Sequence, residues 1–263
     1  MNDRVRKLRE ISLASRPRID AERARLLTEF YQQENGKHPV PIMRALAFRH
    51  LCRHKTIHIG DGELIVGERG PEPLAVPTFP ELTCHTVEDL EILDRRPKTS
   101  YAVDRKTLDT YAETVVPYWQ GRSLRDRIFP LLPREWHDAY AAGIFTEFME
   151  QRAPGHTVAD GKIYAKGLID FQGDIDRAMI RLDYATDSQA LDKRHQLEAM
   201  RIAAEANIIF AERHADLAEA MAATVTTDTR RTELQEIARI CRRVPAHAPA
   251  TFHEALQAYW FHH

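Results

Sequence analysis

From Gln189 to Val225 the chain reads "QALDKRHQLEAMRIAAEANIIFAERHADLAEAMAATV", with no proline and no glycine. Alanine, leucine, glutamate and lysine hold helical backbone well, so this run is expected to form one long helix. Asp187-Ser188 offers its N-cap, and its alanines let neighbouring helices approach closely. A chain with such a segment is committed to helix-on-helix packing.

The rest agrees. Asp20 to Asn35 puts Ala24, Leu27, Phe30 and Tyr31 on one face, and Gly36 ends it. "PIMRALAFRHLCRH" starts with Pro41 in the first turn, where a missing N–H costs nothing. Thr86 to Asp89 resembles a capping box and opens "VEDLEILDRR". Further helices are expected over 105–118, 123–131, 133–149, from Leu168, and from Asp228 through Leu234, Ile237, Cys241 and Val244. One segment changes period. "TIHIGDGELIV" sets Thr56–Ile59 against Glu63–Val66 across Gly60-Asp61-Gly62, which predicts a β-hairpin. Prolines from Pro71 to Pro80 keep the next stretch out of any sheet interior. The reading is a mainly α chain with a β-hairpin, and no linker divides it.

Composition excludes several roles. With 37 basic and 39 acidic residues interspersed, net charge −2, there is no footprint for nucleic acid. No stretch has the length of a membrane span, and the N-terminus is too charged for a secretory signal. Cys52, Cys84 and Cys241 lie far apart, which suits a reduced cytoplasm better than a disulfide framework. In "TFHEALQAYWFHH" a full capping box at Thr251–Glu254 opens a helix with an apolar stripe of Phe252, Leu256, Tyr259 and Trp260, and no C-cap follows. Such a stripe needs a partner to bury it, either this chain's own core or polypeptide beyond it, and the missing cap favours a chain cut short.

Few residues carry chemistry by pattern. In "FMEQRAPGHTV" the Pro154-Gly155 pair must break a helix, leaving His156 on a fixed loop just past it. His156 then serves either as a substrate contact or as a pin to a backbone carbonyl. His50, His54 and His58 recur every fourth residue, but the third falls in the hairpin and no HExxH motif fixes a metal, so none is expected. "GERGPEP" lacks phosphate-loop spacing, and Glu147 with Glu150 is only a polar helix face. Cys84 beside His85 reads as a buried packing cysteine, since adjacent side chains rarely face each other.

Taken with these residues, "DGELIVGERG", "VVPYWQGRSLRDRI" and "PAHAPATFHEALQAYWF" resemble the N-terminal portion of glycyl radical enzymes of the pyruvate formate-lyase superfamily. "PTFPELTCHTVEDLEIL" and "GIFTEFMEQRAPGHTV" are closer to the trans-4-hydroxy-L-proline dehydratase branch than to the choline, glycerol or diol branches. The resemblance covers residues 1–263 and implies the N-terminal helical part of a ten-stranded α/β barrel. It also implies that Phe148 packs a substrate ring and His156 makes a polar contact. Neither the Gly-Cys-x-Glu finger-loop motif nor the Arg-Val-x-Gly-Tyr radical-loop motif occurs in the sequence. The resemblance therefore puts the catalytic cysteine and radical glycine on other polypeptide and implies that this chain alone is inactive and binds no cofactor. It implies a cytoplasmic, oxygen-sensitive lyase activated by a radical S-adenosylmethionine enzyme, a hydroxyproline-like substrate, a complementary C-terminal chain where the two parts are split, and a homodimer at full length. The alternatives it leaves open are another lyase of the superfamily, formate acetyltransferase-like or cleaving C–S or C–N bonds, and a non-catalytic remnant of one.

Overall fold

The computed structural model describes residues 2–145 and 160–262. In chain order these form α1 (Asp3–Ala14), β1 (Arg18–Asp20), α2 (Glu22–Glu34), α3 (Val40–His54), β2 (Ala75–Pro77), α4 (Val87–Arg95), α5 (Arg105–Thr110), α6 (Val116–Trp119), α7 (Leu124–Ile128) and α8 (Arg134–Ala141). Then follow α9 (Lys162–Ala165), α10 (Leu168–Ile180), α11 (Ala190–Thr224), α12 (Asp228–Arg243) and α13 (Phe252–His262). The mainly helical expectation holds. The described residues fall in two compact units, one holding residues 2–15, 33–73 and 160–262, the other 16–32 and 74–145.

The first unit is organised by α11, whose 35 residues extend roughly 50 Å at the usual helical rise. Its buried alanines, Ala206, Ala211, Ala215, Ala218 and Ala222, join Cys52 of α3 and Leu234, Ile237 and Cys241 of α12 in one core cluster. A second cluster joins Ile42 and Ala45 of α3 to Ala199. Small side chains along one helix let two others approach it closely, as the sequence suggested. The helix starts at Ala190, one residue later than the Asp187-Ser188 expectation: Asp187 accepts the N–H of Gln189 instead of capping the helix itself. Arg49 of α3 reaches Glu205 of α11 at 2.9 Å across the seam.

His214 is the unusual member of that core. It is fully buried on α11, and its Nδ1 donates to the Phe210 carbonyl at 2.8 Å. Its Nε2 has no hydrogen-bond partner. Burial, then the nearby cations Lys55 and Arg213 and the ring of His58, pull its pKa down to about 4. The folded chain holds this imidazole neutral, whereas an unfolded chain protonates it near 6.5. Its contribution is therefore intact above pH 6.5 and is lost as pH falls toward 4. About 3 kcal/mol should go over that interval, at about 1.4 kcal/mol per unit. Urea unfolding at pH 7 and pH 4.5 checks this: His214→Phe should flatten the difference, and an unchanged pH slope in that variant contradicts it.

The predicted hairpin does not form. Residues 56–66 keep the turn, with the Glu63 N–H donating to the Gly60 carbonyl, but their backbone groups bond elsewhere. Arg230 of α12 donates to the carbonyls of Gly60 and Glu63 at 2.9 and 2.8 Å. Gln257 of α13 accepts from the Val66 N–H at 2.9 Å and donates to its carbonyl at 2.7 Å. His253 Nε2 meets the Leu64 carbonyl at 2.8 Å. Polar side chains from distant helices take backbone groups of Gly60, Glu63, Leu64 and Val66, so the turn and the second arm are committed elsewhere than to a ladder.

In the second unit, strand pairing among the described residues is confined to β1 with β2, parallel with Arg18 opposite Ala75, and a bridge from Arg18 to Ala102. β2 lies in the proline-rich stretch, and as an edge strand ending at Pro77 it does not offend the rule against proline in a sheet interior. The helix expected over 105–118 is continuous in direction but widens into a π turn at Tyr111–Val115. Pro117 follows two residues later, lacks an N–H, and crowds the carbonyl of Glu113, which a wider turn relieves. The helix expected over 133–149 stops at Ala141, because Gly143 adopts φ +71° and turns the chain.

Candidate functional site

The second unit contains a cavity of about 540 Å³, within the range that small-molecule sites occupy. Thr83 to Thr86 form part of its wall, and α2 fixes the segment that leads into them from Pro77. Arg23 grips Glu81 with both guanidinium nitrogens at 2.5 and 3.1 Å, donates to the Thr78 carbonyl at 3.0 Å, and stacks over Phe79 at 4.0 Å. The N–H groups of Leu124 and Arg125 then donate to the carbonyls of Glu81 and Leu82 at 2.9 and 3.0 Å, tying α7 to the same segment. The capping box is complete: Thr86 Oγ1 accepts from the Asp89 N–H at 3.1 Å and Asp89 accepts from the Thr86 N–H at 2.8 Å. It starts α4 at the cavity wall, where Ile92 and Leu93 supply apolar surface.

The polar lining includes Cys84, Asp89, Gln120, Arg125 and Asp126. Cys84 is half-buried in the wall, so it is more open than the sequence suggested. Burial, then the carboxylates of Asp126 and Asp89, push its thiol up to about 11. Its sulfur lies 3.9 Å from the carbonyl of His85, not its ring, so no nucleophile–base pair forms. Burial lifts Cys52 and Cys241 to about 12. At neutral pH all three are thiols, unsuited to polar nucleophilic catalysis.

A cluster of rings continues from the cavity along α8. Trp136 and Tyr140 stack at 5.4 Å with an 8° interplanar angle, and Phe129 and Phe145 meet Trp136 at 5.2 and 4.9 Å. Arg125 sits over Phe129 at 3.9 Å, while Tyr140 also lines the cavity. Sequence reading missed this cluster, although Trp136 and Tyr140 one helical turn apart were a usable signal. It reaches to three residues before Phe148. Phe148 and His156, with Glu147 and Glu150, lie outside the described residues.

The histidine series comes together only in part. His50 and His54 rings stand 4.3 Å apart on α3. His58 lies beyond that helix, and both its ring nitrogens are buried without a hydrogen-bond partner. Among the described residues no group of three His, Cys, Asp or Glu side chains is placed to hold a metal ion, and no helix is long and apolar enough to cross a membrane.

The profile described as pyruvate formate lyase-like matches residues 1–263, and the chain belongs to that family. It is 45% identical over 261 residues to the trans-4-hydroxy-L-proline dehydratase of Clostridioides difficile, covering 99% of this chain and 33% of that protein. The crystal structure of that enzyme with trans-4-hydroxy-L-proline bound superposes with a TM-score of 0.95 at 44% identity, covering 99% of this chain and 33% of that one. An isethionate sulfite-lyase of Nitratidesulfovibrio vulgaris is 32% identical over 94% of this chain and 31% of its own length. A glycyl radical enzyme from Archaeoglobus fulgidus matches with a TM-score of 0.87 at 32% identity, over 98% of this chain and 33% of that one. The chain spans about a third of the length of the curated relatives it matches, and it corresponds to their N-terminal part.

Proposed function

We propose that this chain is the N-terminal part of a glycyl radical lyase that dehydrates trans-4-hydroxy-L-proline to 1-pyrroline-5-carboxylate and water. The observation that carries this reading is the step in similarity between branches. Identity is 45% to the hydroxyproline dehydratase but 32% to the isethionate lyase over nearly the same residues. The chain covers nearly the same share of both relatives, 33% and 31%, so the additional identity speaks for the branch.

In this reading the chain provides scaffold and one wall of the substrate cavity. The radical glycine and the hydrogen-abstracting cysteine belong to polypeptide beyond it, and a radical S-adenosylmethionine activase supplies the one-electron chemistry. Phe148 packs the pyrrolidine ring and His156 makes a polar contact to the bound amino acid. Tyr140 joins the rings of Phe129, Trp136 and Phe145 to the cavity lining, an apolar wall of the kind that positioning of a reacting substrate requires. No thiol described in this chain replaces the missing cysteine: two are buried, and Cys84 stands between carboxylates.

The test is anaerobic turnover by the complete protein after activation, followed as 1-pyrroline-5-carboxylate formed. His156→Ala is expected to lower kcat/KM about a hundredfold, the scale of losing one positioned polar group at a reacting centre, and Phe148→Ala to raise KM. Turnover of isethionate or a diol instead of hydroxyproline would reassign the branch.

A further inference from the structure

The cavity of about 540 Å³ in the second unit is lopsided in charge. Two carboxylates line it, Asp89 and Asp126, against one guanidinium, Arg125. A backbone donor holds each carboxylate in place: Asp89 accepts from the Thr86 N–H at 2.8 Å and Asp126 from the Gly121 N–H at 2.9 Å. Those bonds take one oxygen each, and a carboxylate has two. The Arg125 guanidinium lies over the Phe129 ring at 3.9 Å, which places its charge at the ring cluster.

Cys84 reports where the two negative charges meet. Burial, then Asp126, then Asp89, hold its thiol up at about 11, and no cation offsets them. Both carboxylates therefore act on one point of the wall, the Cys84 sulfur. Beside it, the Thr83 hydroxyl oxygen is buried and has no hydrogen-bond partner among the described residues, and a buried group of this kind calls for one. Ile92, Leu93 and Val116 add apolar surface to the same lining, and Tyr140 adds a ring.

We propose that this cavity binds a small organic monocation, a primary ammonium on a short apolar chain. Asp89 and Asp126 accept its N–H groups and balance its charge, and Thr83 Oγ1 accepts a further one. Ile92, Leu93 and Val116 cover the hydrocarbon, and a ring such as that of Tyr140 attracts a cation at its face. An anion meets two like charges there, and a neutral alcohol leaves them unbalanced, so the lining selects for charge as well as size. This site goes beyond the lyase reading and draws on neither Phe148 nor His156.

The test is isothermal titration of the 263-residue chain at neutral pH with n-butylamine, which is protonated there, in a buffer free of other amines. n-Butanol and butyrate are the neutral and anionic controls, and trans-4-hydroxy-L-proline is added as a zwitterionic competitor. Butylammonium should bind at one site and at least tenfold more tightly than either control. Asp126→Asn and Asp89→Asn remove the charge but keep an oxygen for the Gly121 and Thr86 N–H groups. Each should weaken binding about tenfold or more at unchanged circular dichroism. Thr83→Val should weaken it about threefold, and it carries the test where an aspartate variant fails to fold. No saturable heat, equal affinity for butanol or butyrate, or affinity unchanged in every folded variant overturns the proposal. So does displacement of butylammonium by an equal concentration of hydroxyproline, which makes the cavity an amino-acid site. Where the chain alone precipitates, the same titrations are run on the chain joined to the remaining two thirds of the Clostridioides difficile dehydratase. Binding needs no turnover, so a wrong substrate assignment leaves the result readable.

Discussion

Replacing Gly167 by alanine is expected to destabilise the chain by about 3 kcal/mol or more. Gly167 precedes α10, where its N–H donates to Asp170 at 3.0 Å. A Cβ there would sit 2.2 Å from the carbonyl oxygen of Ala246 and 2.3 Å from the Cα of His247. Both are backbone atoms, so no rotamer change relieves the contact. The only escape is to separate the two segments, which breaks the bonds from the Leu168 and Ile169 N–H groups to the carbonyls of Pro245 and Ala246 at 2.9 and 3.1 Å. Gly173 on the same helix is the control. A Cβ there meets only the end of Arg177 at 3.5 Å, so Gly173→Ala should gain about 0.5–1 kcal/mol from helix propensity alone. Urea unfolding midpoints read both; a Gly167→Ala chain as stable as the parent contradicts the packing described.

Gln257→Ala should cost about 3 kcal/mol, since it strands two buried backbone groups at about 1–3 kcal/mol each. The amide of Gln257 ties α13 to both polar atoms of Val66, and Val66 is itself buried. Water cannot easily replace it where Val66, Phe210 and Phe261 belong to one core cluster. Gln257→Glu separates the two bonds: an ionised carboxylate still accepts from the Val66 N–H but cannot donate to its carbonyl. It should be destabilised at neutral pH and recover in part as the carboxyl protonates. A Gln257→Ala loss below about 0.5 kcal/mol, the scale of an ordinary surface change, would contradict the role assigned to this side chain.

Much of the fold was legible because local rules decided it. Period and caps placed α2, α3, α4 and α12 within a few residues, and the alanine face of α11 foretold its neighbours. What failed was non-local. The Asp61-Gly62 turn exists, but whether its arms become strands depends on Arg230, His253 and Gln257, far along the chain, and those side chains claim the backbone first. The pairing of β1 with β2 was invisible for the same reason: three residues on each side give no period to read. The early end of α8 was a local signal passed over, since Gly143 stood in the sequence. At the site, the capping box of α4 was read correctly, the openness of Cys84 was not, and Phe148 and His156 rest on resemblance to a family whose membership the comparisons bear out.

The central claim is that this chain frames a substrate cavity for radical chemistry housed on other polypeptide. Its most direct test is anaerobic incubation with trans-4-hydroxy-L-proline and the activase, first of the 263-residue chain alone and then of the chain joined to the remaining two thirds of a relative. The account predicts no product from the first and 1-pyrroline-5-carboxylate from the second, with kcat/KM lowered about a hundredfold by His156→Ala. Product from the chain alone would contradict it.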